Sequence, residues 1–181
     1  LAEAEVEYED KPSPAIDVEF NCVNSRDIAL IFKVKKKLDS VSAIIWTTTP
    51  WTLPANEAIS VNPKFKYGLY ESNSKFFILA EELADIRFKT YKFPARKVAS
   101  CKGDELEGLL FSHPFIEKSV PIICGDHVTT ETGTGLVHTA PAHGLDDYIV
   151  GIKYKLPVEN PVDANGKFKK NVPIFSGLTV W

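Results

Sequence analysis

Short apolar runs separated by closely spaced turn signals constrain the fold of this sequence more than any other feature. The first run, Ile16–Cys22, alternates apolar with polar residues, which is the period of a half-buried strand. Further runs predict short strands at Ile28–Val34, Ser42–Thr49, Lys66–Tyr70, Phe76–Leu79, Val98–Lys102, Gly108–Phe111, Val120–Cys124 and Gly135–His138. Turn signals recur about every eight to twelve residues, which is typical of β-barrels and β-sandwiches.

Few segments favour helices. Glu81–Tyr91 carries apolar residues at helical spacing, and a second helix is predicted to begin near Leu145. The tail from Pro157 to Trp181 is rich in loop formers. We therefore expect a mainly β, barrel-like fold decorated with a few peripheral helices.

The chain length of 181 residues suits one domain with a sizeable core. Residues 1–13 are acidic and end in Lys11-Pro12-Ser13, so they are predicted to be a linker that leads into a single domain at 14–181. The sequence contains no methionine. We expect the domain to be excised from a longer protein.

Composition and charge exclude several classes of protein. The hydrophobic fraction is 44%, but no apolar run approaches the ~20 residues of a membrane-spanning helix. Three widely spaced cysteines form no CxxC pair, which argues against a disulfide framework and predicts a reducing, cytoplasmic setting. The net charge of −3 predicts that any contact with nucleic acid is local or shared with other domains. Two lysine clusters, Lys33–Lys37 and Lys167–Lys170, are explained as solvated strand edges and loops.

The first segment with chemical information is Trp46–Asn56, in which three threonines end a predicted strand and two prolines bracket Trp51. Threonine hydroxyls donate and accept hydrogen bonds without carrying charge, and prolines fix the backbone. Thr47, Thr48 and Thr49 are therefore candidates to line a pocket that holds water and an ester. The plain alternative is a strand followed by a rigid turn, because threonine favours strands.

The second segment is Gly133–Tyr148, which predicts a strand, a proline turn and a helix that begins with two aspartates. Its small residues permit the close approach of another backbone or a ligand. Asp146 is explained as a helix cap or a first-turn acid favoured by the helix dipole. Asp147 is a candidate to bind an ammonium group, because an ordinary aspartate is ionised at neutral pH.

A metal site is an alternative use of the second segment. His138, His143 and Asp147 are residue types that bind zinc, but the two histidines are not spaced to share one helix face. We expect neither a metal nor another cofactor in this domain. His113 and His127 are interpreted as structural.

Together the two segments resemble the isoleucyl-tRNA synthetase family. Its inserted editing domain carries the pattern WTTTPWTLPAN and, about ninety residues later, a GTG-x-VHTAP-x-HG-x-DDY pattern. The resemblance extends over essentially the whole chain and is closest to the bacterial or organellar branch. Valyl and leucyl relatives typically have an arginine where Thr49 stands and usually lack the histidine found at His138. The HIGH and KMSKS motifs of the nucleotide-binding fold are absent, so isoleucine activation is not expected from this chain.

This resemblance implies a hydrolase that deacylates Val-tRNA(Ile) and contributes to the hydrolysis of valyl-adenylate. A synthetic site separates isoleucine from valine by one methylene, a difference of about 1–3 kcal/mol for which this family is the standard example. By the resemblance, Asp147 binds the α-ammonium group and His138 excludes the larger isoleucine side chain. The resemblance further implies roles for the threonines in positioning water, for Asn56 in holding the site, and for Trp46 and Trp51 as pocket walls or adenosine contacts.

The partners implied are the acceptor end of tRNA(Ile) carrying valine, valyl-adenylate and the remainder of a parent synthetase, with no membrane and a monomeric state. Two other functions stay open. The domain could be a binding module that only docks the acceptor end, or a metal hydrolase built on His138, His143 and Asp147.

Overall fold

The structure is a computed structural model that describes residues 14–180. Within these residues one sheet contains β1 (Ile16–Cys22), β2 (Val41–Thr47), β3 (Ala58–Val61), β4 (Lys66–Ser72), β5 (Lys75–Ala80), β6 (Arg96–Lys102), β7 (Leu110–Ser112), β8 (Ser119–Cys124) and β9 (Leu136–Thr139). The α-helices of this part are α1 (Ser25–Ile31), α2 (Glu81–Tyr91) and α3 (Leu145–Lys153). The linker predicted at residues 1–13 lies outside the described residues.

Six strands close into a barrel in the order β1-β7-β8-β3-β9-β2, because β2 also pairs with β1. The closing pair is antiparallel and runs in register from Ile16 opposite Thr47 to Asn21 opposite Ser42. Closure leaves the six barrel strands without the free edges that an open sheet would expose. Strands β5, β4 and β6 continue the sheet from β2 as a flank. The predicted mainly β, barrel-like fold is therefore confirmed.

One hydrophobic core fills the barrel and its flank. Phe20 of β1, Ile59 of β3 and Leu136 of β9 are fully buried within it. Burying a side chain of this size contributes about 1.5–3 kcal/mol, so the strand pairing is held by packing as well as by hydrogen bonds. A smaller cluster of Ala58, Ile123 and Val150 packs α3 against the barrel.

The strand predicted at Ile28–Val34 is wrong, because α1 occupies Ser25–Ile31. Asn24 caps this helix: its side-chain oxygen accepts a hydrogen bond from the backbone N–H of Arg26 at 3.1 Å. An apolar run of this length does not by itself separate a short strand from a short helix. The strand Ala58–Val61 was not predicted from the sequence.

Other local predictions are confirmed. The two strands predicted at Lys66–Tyr70 and Phe76–Leu79 form the antiparallel pair β4 and β5, and Asn73 and Ser74 turn one into the other with positive φ angles of 48° and 67°. The helix Glu81–Tyr91 has the predicted bounds, and α3 begins at Leu145. None of the helices within residues 14–180 is long and apolar enough to cross a membrane.

One end of the barrel gathers the two segments that carry chemical information. Strands β2 and β9 run parallel and pair directly at Trp46 and Val137. Both strands therefore end on the same side of the barrel, at Thr47 and Thr139. The chain that follows each strand contributes to this end.

Candidate functional site

The segment Trp46–Asn56, the threonine segment, continues from the end of β2 directly into a 3-10 helix, Pro50–Ala55. Its N-cap is Thr49, and Pro50 stands at the first helical position, where the missing N–H is not needed. The backbone N–H of Thr49 donates to the hydroxyl of Thr47 at 3.1 Å. Thr47 is buried, whereas Thr48 and Thr49 are exposed at the barrel end.

A buried histidine ties this segment to β9. Asn56 Nδ2 lies 2.7 Å from His138 Nδ1, and Thr52 Oγ1 lies 2.8 Å from His138 Nε2. The amide nitrogen of Asn56 can only donate, so Nδ1 accepts and the proton of the neutral ring is on Nε2. Nε2–H then donates to Thr52, whose hydroxyl donates to the carbonyl oxygen of Thr49 at 2.7 Å.

Burial keeps His138 neutral. The side chain is 5% exposed, and desolvation, assisted by the nearby His113, His143 and Lys118, lowers its pKa to about 3. With both ring nitrogens hydrogen bonded and the proton fixed on Nε2, the imidazole has neither a free lone pair nor a free N–H. It can shape a site, but it is unsuited to act as a general base.

The position of His138 follows from strand pairing. His138 stands opposite Ile59 in the antiparallel pair of β3 and β9. Ser60 and Thr139, which lie diagonally across this ladder because Ser60 stands opposite Val137 and Thr139 opposite Ala58, are also buried, and their hydroxyls are 2.6 Å apart. This polar contact between β3 and β9 helps to fix the register on which the His138 position depends.

Asp147 lies in the first turn of α3 at the same end of the barrel. Its Oδ2 accepts a hydrogen bond from the backbone N–H of Ala140, the residue that follows β9, at 3.0 Å. Burial raises the pKa of this carboxyl group, while the Ala140 hydrogen bond and His127 oppose the increase. Asp147 forms no salt bridge with the residues in 14–180. Its neighbour Asp146 is exposed and is a first-turn acid, as expected, while the N-cap of α3 is Gly144.

The two tryptophans flank the threonine segment differently. Trp46 packs its indole ring over Gly133, where a Cβ atom would lie 2.8 Å from the ring. Trp51 meets His143 edge to face at 5.4 Å between ring centroids. Trp51 also lines a cavity of about 270 Å³ whose other walls include Phe115, Phe168 and Phe175.

The structure brings four of the predicted site residues into one hydrogen-bonded network: Thr47, Thr49, Asn56 and His138. Thr52 completes this network and was missed as a separate candidate. Its signal in the sequence was the spacing of three from Thr49, which places both residues on one turn of a 3-10 helix. Asp147 reaches the same end of the barrel through Ala140.

The metal-hydrolase alternative is not supported by the side-chain arrangement. It requires a free ring nitrogen on His138, and both nitrogens are bonded to Asn56 and Thr52. Within residues 14–180, no three His, Cys, Asp or Glu side chains are grouped so that they could hold an ion.

A closed β-barrel of this kind is the architecture of the editing domains of aminoacyl-tRNA synthetases. The family model described as leucyl-tRNA synthetase, editing domain, matches residues 24–176, and the chain belongs to this family.

Isoleucine–tRNA ligases are similar along the whole chain. The enzyme of Dechloromonas aromatica (strain RCB) is 53% identical over 188 aligned residues, which cover 100% of this chain and 20% of the relative. That of Legionella pneumophila (strain Paris) is 48% identical, covering 99% of this chain and 19% of the relative. The chain thus spans about a fifth of the length of these relatives.

Solved structures of editing domains share the fold. The structure titled "The crystal structure of GlLeuRS-CP1" superposes with a TM-score of 0.72 at 16% identity and covers 92% of this chain and 91% of its own. The Plasmodium falciparum cytosolic leucyl-tRNA synthetase editing domain gives 0.67 at 15% identity, covering 78% of this chain and 66% of its own. At such identities the likeness concerns the architecture alone.

Proposed function

We propose that this domain hydrolyses the ester of valine misattached to tRNA(Ile) and contributes to the hydrolysis of valyl-adenylate. One observation carries the proposal: a neutral His138, held between the Asn56 amide and the Thr52 hydroxyl, lies at the barrel end that also holds Asp147. The family to which the chain belongs supports an editing role. The partners are the acceptor end of tRNA(Ile) and the remainder of a parent synthetase.

Asp147 is the proposed ligand of the substrate's α-ammonium group. Its carboxylate is partly desolvated and has no cationic partner within residues 14–180. A carboxylate in this state gains more from an ammonium ion than one that is fully hydrated, because the cost of desolvation is already present. The hydrogen bond from Ala140 orients one oxygen and leaves the other for the ligand.

His138 is the proposed wall that admits valine and excludes isoleucine. A sieve must not yield when a larger side chain presses on it, and the ring is fixed at both nitrogens by Asn56 and Thr52. The role proposed for Asn56 is therefore to hold the wall in place. The wall must be rigid to exclude isoleucine by steric conflict, because one extra methylene changes the binding free energy by only about 1–3 kcal/mol.

Thr47, Thr48 and Thr49 are proposed to position the ester and the attacking water. Thr47 and Thr49 already share hydrogen bonds that orient their hydroxyls. His138 does not serve these hydroxyls as a base, because it donates from Nε2 and accepts at Nδ1. The rate then comes from positioning a water molecule, aided by the free ribose hydroxyl of the terminal adenosine. Trp46 and Trp51 are the proposed pocket walls or adenosine contacts.

Deacylation of two charged tRNAs tests the proposal. The purified protein is mixed with Val-tRNA(Ile) or Ile-tRNA(Ile), and loss of the labelled amino acid is followed over time. We expect Val-tRNA(Ile) to be cleaved faster by about tenfold or more. If neither ester is cleaved at high protein concentration, the domain is not a catalyst in isolation. Calorimetric binding of a non-cleavable valyl-adenosine analogue without turnover would then identify a binding module.

A further inference from the structure

His113 is a second buried histidine, and it contacts the threonine segment from outside the site. It follows β7, is 5% exposed, and its Nε2 lies 2.8 Å from the carbonyl oxygen of Leu53. Its Nδ1 accepts the backbone N–H groups of Phe115 at 3.3 Å and Ile116 at 3.1 Å. The ring is therefore the neutral Nε2–H tautomer, and it donates to Leu53.

The Leu53 carbonyl is the point at which the 3-10 helix Pro50–Ala55 ends. The same oxygen accepts the backbone N–H of Asn56 at 3.0 Å. The side chain of Asn56 in turn donates to Nδ1 of His138, and His138 donates to Thr52. A continuous chain of hydrogen bonds thus leads from His113 through Leu53 and Asn56 to the proposed sieve.

We infer that His113 is a positioning residue for this site, acting through the Leu53 carbonyl on Asn56 and His138. The inference rests on the proposed function, since the site it positions is the proposed hydrolytic site. Without the Nε2–H donor, the Leu53 carbonyl loses one of the two hydrogen bonds that it accepts. The end of the 3-10 helix can then move, and Asn56 can move with it. Displacements of about 1 Å remote from the chemistry can cost on the order of a hundredfold in rate.

Two amide variants test the hydrogen bond at Nε2 of His113 separately from those at Nδ1. In His113→Gln the longer side chain carries an N–H to the Leu53 carbonyl, whereas in His113→Asn the shorter side chain offers its oxygen to the Phe115 and Ile116 N–H groups and does not reach Leu53. We expect His113→Asn to lower kcat for Val-tRNA(Ile) deacylation about tenfold with KM little changed, and His113→Gln to retain most of the activity.

A stability control distinguishes positioning from loss of fold. Phe88→Leu in α2 removes packing in an aromatic cluster with Tyr70, Phe77 and Phe93, and none of these residues belongs to the hydrogen-bonded network of the site. Equal kcat in His113→Asn and His113→Gln overturns the inference. So does a kcat loss in Phe88→Leu that matches that of His113→Asn at the same drop in melting temperature.

A second readout works even when no ester is cleaved. The imidazole ¹⁵N shifts of His138 report its hydrogen bonds, so they change in His113→Asn and stay close to wild type in His113→Gln. Unchanged His138 shifts in His113→Asn overturn the positioning role. An inactive wild-type protein whose His138 shifts respond as expected contradicts the proposed function alone.

Discussion

Asn56 donates its side-chain N–H to Nδ1 of His138 at 2.7 Å, and this one bond selects the tautomer of the buried ring. The same amide nitrogen also donates to the carbonyl oxygen of Ala58 at 3.0 Å, so both of its protons are used. The Oδ1 atom of Asn56 is buried without a partner among the described residues. The orientation that directs the Asn56 amide nitrogen at His138 therefore leaves the amide oxygen buried without a hydrogen bond.

The first prediction exchanges that donor for an acceptor. Asn56→Asp places carboxylate oxygens against Nδ1, which favours an Nδ1–H or doubly protonated ring and raises the pKa of His138. Both the tautomer and the pKa follow from ¹⁵N spectra recorded across a pH series. Asn56→Ala is the companion variant, and the loss of its buried bonds should lower the unfolding free energy by about 1–3 kcal/mol. A His138 ring that keeps its Nε2–H tautomer in Asn56→Asp contradicts the assignment.

The second prediction concerns Asp147, with its exposed neighbour Asp146 as the control. Asp147→Asn should reduce kcat/KM for Val-tRNA(Ile) by about ten- to a hundredfold, because a charge-assisted contact contributes about 1.5–3 kcal/mol. Asp146→Asn should change kcat/KM by less than about threefold, as Asp146 is solvated in the helix first turn. Equal losses in the two variants would show a general charge effect on tRNA rather than ammonium binding.

Asp147→Asn should also leave stability intact. Burial raises the pKa of Asp147, so the folded protein favours the protonated carboxyl and loses stability as the pH rises above the ordinary value of 3.8. Asparagine removes this cost at neutral pH. The melting temperature at pH 7 should therefore equal or exceed that of the wild type, and a clear decrease would mean that the carboxylate is structural.

The third prediction tests His138 as the sieve. His138→Ala should increase cleavage of Ile-tRNA(Ile) by about tenfold or more, because the excluded methylene gains space. His138→Gln is the matched variant, since its amide can still reach Thr52 and it fills more of the ring's volume. Discrimination between the two esters is measured as the ratio of kcat/KM values. A ratio unchanged in His138→Ala removes this residue from the sieve.

The fourth prediction is a pH dependence of stability. The folded protein holds the His138 pKa at about 3, against an ordinary value of 6.5. Between these values the unfolded chain binds a proton at this position and the folded chain does not. The stability present above pH 6.5 is therefore lost as the pH falls toward 3, by roughly 5 kcal/mol at most.

Urea unfolding at several pH values measures this effect, with His138→Gln as the reference. The reference lacks the titrating group but keeps His113, His143 and Asp147, so the difference between the proteins isolates His138. Parallel curves between pH 4 and pH 6.5 (about the working range of the method) would contradict the buried, neutral state.

Local sequence pattern predicted most strands and α2, because alternation and helical spacing are properties of a few neighbouring residues. The strand predicted at Ile28–Val34 was wrong because an apolar run of this length does not separate a strand from a helix, and the structure has a helix capped by Asn24 there. The hydrogen-bonded network of the candidate site was harder to predict from the sequence. The contact between Thr52 and His138 spans 86 positions and exists only because β3 and β9 pair with Ile59 opposite His138. No periodicity encodes that register.

The last prediction uses two glycines that share a backbone conformation and differ in surroundings. Gly133 has a φ of 79°, and a Cβ there would meet the ring of Trp46 at 2.8 Å. Gly108 has a φ of 85°, and no heavy atom lies within 4 Å of its added Cβ. Replacement of either by alanine should cost about 1–2 kcal/mol of unfolding free energy from the left-handed backbone.

Gly133→Ala should cost a further ~1–3 kcal/mol, because the indole ring must move to admit the methyl group. The Trp46 indole N–H signal, resolved from those of Trp51 and Trp181 by NMR, should shift in Gly133→Ala and stay in place in Gly108→Ala. Because Trp46 immediately precedes Thr47, the displacement should lower deacylation in Gly133→Ala alone. Equal unfolding free energies for the two variants would show that the ring yields freely, and Trp46 would then be no rigid wall of the site.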